Sequence, residues 1–151
     1  MALIKDNKAQ TDTWQYLDEE SPDFSHASII NLEYWQQNKS SLAQKNKLGL
    51  RVLGDTEPSE FIDELAQFDL IAIEIPVFTD GRSYSLAKTL REKYNYTGEI
   101  RAIGDVLPDQ ALYLTRVGFN ELELASDELR EIALEKLASF SVFYQTAAKA
   151  S

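Results

Sequence analysis

Arg82 and Ser83 stand at the head of a segment with helical spacing, directly after Asp80 and Gly81 in the stretch FTDGRSYSLAKTLRE, residues 78–92. A helix start offers unpaired N–H groups and the positive end of the macrodipole, and so readily takes a small oxyanion. An arginine placed there opposes the dipole and needs a reason. If Arg82 and Ser83 hold an anion, the ligand is the reason. If Asp80 or Asp105 pairs with Arg82, the loop is the reason, and the spacing leaves both readings open. A second stretch, GDVLPDQ at 104–110, adds Asp105, Asp109 and Gln110, and a third begins at Asp55. Asp80, Gly81, Arg82, Ser83, Arg101, Asp105, Asp109 and Gln110 form the candidate site, either anion-binding or structural. In a catalytic version Arg82 and Arg101 hold a small oxyanion, with Asp80 or Asp105 as acid/base.

Composition narrows the other chemistries. With no cysteine, thiol catalysis, thiolate metal sites and iron–sulfur ligation are excluded. The single histidine, His26, lies in the polar run SPDFSHAS, where a solvated side chain is the ordinary reading. No Walker loop, GxGxxG fingerprint or paired-carboxylate glycosidase signal is present. No metal and no cofactor are expected, although nothing in the residues excludes a bound flavin. A net charge of −10 disfavours nucleic acid and anionic membrane as partners and favours a basic protein surface. The N-terminus MALIKDNKAQTD has no long apolar run, so no signal peptide or membrane span is expected, and a cytoplasmic location fits.

These residues need elements to position them. With 44% hydrophobic and 26% charged residues in a chain of 151, one ordinary globular domain is expected. Residues 1–30 read as an irregular N-terminal segment with one short strand at TWQYL, residues 31–143 as a single α/β domain, and residues 144–151 as a fraying tail. Within the domain, helix is expected at 32–45, 58–68, 83–94, after Pro108 up to Gly118, and from Ser126 on, with Leu129, Ile132, Ala133, Leu137 and Phe140 on one face. Strands are expected at 49–54, 70–76, 98–105 and 121–124. Strands alternating with helices mean βαβ units and a parallel sheet.

Each of the four strands carries a charge near its middle: Arg51, Glu74, Arg101 and Glu123. Side-chain alternation puts Arg51 with Leu53, Glu74 with Ala72, Arg101 with Ile103, and Glu123 with Glu121. The other face is apolar throughout. A doubly wound sheet, covered by helices on both faces, has near-continuous apolar strands instead. Sequential (β/α) units curled into a half-barrel therefore fit better than a flavodoxin-like order. In chain order the charges alternate in sign, and Glu74 and Arg101 are expected to pair across adjacent strands.

The run FTDGRSYSLAKTLREKYNYTGEIRAIGDVLPDQALYLTRVGFNELEL resembles a bacterial domain-of-unknown-function family whose label ties it, as an oxidoreductase, to sulfite reduction. The matching pattern is F-x-D-G-R, S-x-A-x-x-L-R, Y-x-G-E-x-R-A-x-G-D-V, D-Q and R-x-G-F. Asn95 departs from a usual glycine and Asn120 from a usual aspartate. The run covers about a third of the chain; residues 31–77 agree loosely and the first 30 hardly at all. The resemblance implies a role in assimilatory sulfite reduction, where a sirohaem-dependent reductase does the chemistry. The leading expectation is an accessory or adaptor protein whose partner is sulfite reductase or another sulfur-assimilation protein. A small, flavin-dependent enzyme acting on a sulfur oxyanion is the alternative. A homo-oligomer in which two half-barrels cover each other's charged faces is a third reading.

Overall fold

The computed structural model describes residues 1–42, 47–77 and 81–150, with side chains to residue 139. Its strands are β1 (Ala2–Lys5), β2 (Lys8–Gln10), β3 (Trp14–Tyr16), β4 (Ala27–Asn31), β5 (Leu48–Leu53), β6 (Leu70–Ile75), β7 (Glu99–Gly104) and β8 (Glu121–Leu124). Its helices are α1 (Leu32–Leu42), α2 (Arg82–Glu92), α3 (Ala111–Val117) and α4 (Asp127–Ala150). All strands join one sheet in the order β2-β1-β8-β7-β6-β5-β4-β3. From β3 to β8 every neighbouring pair is parallel, and β1 closes the far side antiparallel to β8 and β2.

β5 to β8 lie side by side in chain order, which is the sequential half-barrel and not the flavodoxin-like arrangement. Residues 1–30, expected to be irregular, supply β1, β2, β3 and most of β4, split between the two sides of the sheet. β2 and β3 occupy opposite edges, yet only residues 11–13 connect them. An extended chain covers at most about 3.3–3.6 Å per residue, so the edges lie within roughly 14 Å of each other. The sheet must therefore curl round until it almost closes.

Residues 58–68, expected as one helix, form two 3-10 turns, Pro58–Glu60 and Ile62–Gln67, with Phe61 buried between them. Phe61 itself has φ −142, which breaks helical continuity. α1 ends at Leu42, and the rest of that expected helix, 43–45, lies outside the described residues. α4 starts under a Ser126 cap, whose Oγ accepts from Leu129 N at 3.2 Å, and continues through 144–150, where a frayed tail was expected. Of its expected inner face, Ala133 and Leu137 are buried, Ile132 is 38% exposed, and the Phe140 side chain lies outside the described residues.

The convex face carries Leu50, Val52, Ile71, Ile73, Ile100, Ala102 and Leu122, all buried in the main core with residues from all four helices. The concave face holds a smaller apolar cluster of Ile29, Leu70, Ala72 and Ile103 under Trp14. Above and beside it lie the charges.

Candidate functional site

Register fixes which concave side chains meet. Arg51, Ala72, Arg101 and Glu121 share one level across β5 to β8, and Leu53, Glu74 and Ile103 share the next. Arg101 lies level with Ala72, while Glu74 sits one level higher. The expected Glu74–Arg101 pair is replaced by two others. Glu74 accepts from Arg51 at 2.8 Å, at a half-exposed position. Arg101 donates to Glu121, directly opposite on β8, at 2.8 Å, and lies 3.8 Å from Glu123.

Arg101 also makes a two-point contact with Asp12, at 2.9 Å to each carboxylate oxygen. Asp12 belongs to the link between β2 and β3. Tyr16 on β3 donates to Glu123 on β8 at 2.5 Å, across the bore. The Arg101 side chain is 1% exposed. Burial alone would lower its pKa, but the hydrogen bonds to Asp12 and the charges of Glu121 and Asp12 outweigh burial and raise it. Burial pushes the Glu121 carboxyl up, against the pull of Arg101. Burial and the bond to Glu123 push the Tyr16 phenol up as well. A guanidinium 1% exposed and enclosed by three carboxylates of its own chain is out of reach of an oxyanion in solvent, so Arg101 leaves the candidate anion site.

A cleft of about 570 Å³ opens at the C-terminal ends of β5, β6 and β7, where ligands of (β/α) proteins collect. Leu53, Asp55, Glu74, Pro76, Val77, Ser83 and Asp105 line it. Two glycines bring its walls together. A side chain at Gly54 would meet Ser83 Oγ at 1.9 Å, so only glycine lets α2 sit this close to β5. Gly104, at φ +87, would place a Cβ 2.5 Å from the Ile75 carbonyl oxygen, so it turns β7 outward where no other residue fits.

Arg82 opens α2 after Gly81, which has φ 88. Its guanidinium is 65% exposed and 3.9 Å from Asp55. Arg82 lines a smaller, 340 Å³ depression beside the cleft, with Thr56, Glu57 and Ser85. Asp80 lies outside the described residues. Ser83 is buried, its Oγ 3.4 Å from the Glu74 carbonyl oxygen. Asp105 faces the cleft and forms no ion pair among the described residues. The loop 104–110 divides after it. Asp109 pairs instead with Lys136 of α4 at 3.0 Å, and Gln110 stands next to it with Oε1 buried and without a hydrogen-bond partner.

Residue types and spacing missed two groups. Asp12 lies 89 positions from Arg101, and no local signal connects them. Arg91, part of the matched pattern, is a bracket at the opposite end of the sheet. Its guanidinium donates to the carbonyls of Gly118, Tyr96 and Gly98 at 3.0, 2.9 and 2.7 Å, and to Asn120 Oδ1 at 3.2 Å. Asn120 also accepts from Ile100 N at 2.8 Å and donates to Glu99. Asn95 has φ 54, a left-handed conformation that suits glycine and that asparagine tolerates. Much of the pattern thus fixes the turns under the sheet and not the cleft above it.

Fold and site together define a curled α/β half-barrel, closed by its own N-terminal strands, with an acidic cleft at the strand ends. The chain belongs to the family described as bacterial protein of unknown function (DUF934), whose model matches residues 49–151. No curated protein matches it. Among the described residues no helix is long and apolar enough to cross a membrane, and no group of three or more His, Cys, Asp or Glu could hold a metal ion.

Proposed function

We propose that this protein is a cytoplasmic accessory of assimilatory sulfite reduction that acts beside a sirohaem-dependent reductase by binding a partner. The link to sulfite reduction rests on the resemblance of residues 78–124. The binding role rests on the cleft. Leu53 and Val77 are 56% and 71% exposed at its mouth, beside the carboxylates of Asp55, Glu74 and Asp105. Apolar side chains held in water within a polar rim mark an interaction surface. The enzyme alternative loses one of its two anion holders, because Arg101 is consumed by Asp12, Glu121 and Glu123. The oligomer reading loses its motive, because the chain's own β3 and Asp12 already cover the charged face.

The test is affinity capture from native cells with the full chain as bait, probed for sulfite reductase. Enrichment of the reductase is the expected result, and its absence under assimilatory conditions overturns the proposal. Purified protein is expected to be colourless. A stoichiometric flavin spectrum would replace the accessory with the enzyme.

A further inference from the structure

We infer that the strand-end cleft is a docking groove for a short partner segment carrying an apolar side chain next to a lysine or arginine. The inference rests on the accessory reading and deepens it by naming the chemistry of the partner. At about 570 Å³ the cleft has room for one or two side chains. Leu53 and Val77 line it while largely exposed. Exposed apolar residues scattered singly mean little, but these gather at one mouth.

Charge selects the occupant. Of the lining carboxylates, Glu74 is satisfied by Arg51 at 2.8 Å, and Asp55 has Arg82 at 3.9 Å. Asp105 has no ion pair among the described residues. It is half-buried, where a carboxylate gains more from a cation than it does in open solvent. An incoming lysine or arginine completes that pair while its apolar neighbour covers Val77 and Leu53. A second copy of the chain is a poor occupant, since each carries a net charge of −10.

The experiment uses three fluorescein-labelled synthetic peptides with central Arg-Leu-Arg, Arg-Ser-Arg and Glu-Leu-Glu, titrated against the full chain by anisotropy at physiological salt. Arg-Leu-Arg should bind at least about tenfold more tightly than either other peptide, each of which lacks one of the two contacts. Asp105→Asn and Val77→Ser should each weaken it several-fold. Asp109→Asn, which removes an equal charge on the α4 side, should leave it unchanged. Equal binding of Arg-Leu-Arg and Arg-Ser-Arg, or equal losses from Asp105→Asn and Asp109→Asn, would reduce the effect to general attraction by an acidic protein and overturn the groove. Should Val77→Ser melt early, Leu53→Ser serves in its place. Capture of sulfite reductase by wild type and by Asp105→Asn/Val77→Ser alike overturns the groove and leaves the accessory role standing. The expected peptide pattern without reductase capture does the reverse.

Discussion

Arg101, midway along β7, has a side chain 1% exposed and touches Asp12, Glu121 and Glu123. Arg82, at the head of α2, is 65% exposed and stands 3.9 Å from one exposed carboxylate. Both belong to the matched pattern, and residue type alone gives them the same chemistry. Their surroundings separate them. In the bore, geometry brings each charge its partners, and the polar layer acts as a structural tie between the two sides of the sheet. At the rim, among the described residues, the carboxylates of Asp55, Glu74 and Asp105 face the cations of Arg51 and Arg82, and Asp105 has no ion pair. Charged residues in a sheet thus have two uses: a saturated set closes a fold, and an unsaturated set invites a ligand.

The comparison breaks most visibly at Arg101. Arg101→Met leaves Glu121 and Glu123 buried without their cation, which should cost about 3–5 kcal/mol in denaturant unfolding. A double-mutant cycle of Arg101→Met with Glu121→Gln should show strong coupling, while a cycle with Glu74→Gln should be close to additive. The reverse outcome would restore the Glu74–Arg101 pair. Next is Asp12→Asn, which keeps the shape and removes the charge from the two-point contact. A loss of about 1.5–3 kcal/mol is expected, the range for hydrogen bonds to charged groups. A loss within error would mean that the N-terminal link does not hold the barrel shut.

Glu121 gives the comparison a pH dependence. Its folded pKa is raised by burial above the ordinary 4.5, so its favourable share of stability is complete below that value and is lost as pH rises through the folded pKa. Glu99 runs oppositely. Burial works against it, but hydrogen bonds from Asn120 and Lys5 hold its carboxyl low, so its share is present above 4.5 and lost on acidification. Relative to wild type, Glu121→Gln should gain stability as pH rises from about 4 toward neutrality, read from melting temperatures across that range. A constant difference would mean that folding leaves the Glu121 pKa unshifted.

The smallest effects belong to the rim. Arg51 and Glu74 are 37% and 30% exposed, so their cycle should give no more than about 1 kcal/mol. The 3.9 Å contact of Arg82 with Asp55 joins two exposed side chains and contributes little. If Arg82 holds an oxyanion, millimolar sulfite should raise the melting temperature of wild type and not of Arg82→Gln, with chloride at equal ionic strength as control. Equal shifts in both proteins would give the residue a structural role.

Strand order was readable because parity and charge sign are local properties of each strand, and β5 to β8 obey them. The pairing of Glu74 was not readable, because parity fixes the face but not the level at which neighbouring strands align. The N-terminal strands were harder still. β2 and β3 have three residues each, too few for a period to show, and β1 finds its partner only at β8. The cleft's place at the strand ends followed from the fold class, and Ser83 and Asp105 fell within it. Asp109 did not, because the 3-10 turn from Pro108 carries it toward α4.

The pairing of β1 with β8 also sets an order of events during synthesis. Ala2 pairs with Leu124, so β1 must wait for a strand synthesised about 120 residues later. At about 5–20 residues per second that wait is roughly 6–24 s. For all of it, Leu3 and Ile4, which are buried in the finished protein, lack their partner strand. Of the family-matched portion, beginning at residue 49, β5, β6 and β7 can pair in the meantime. The clasp can close only once β8 has been made, so its loop-closure entropy falls late in folding.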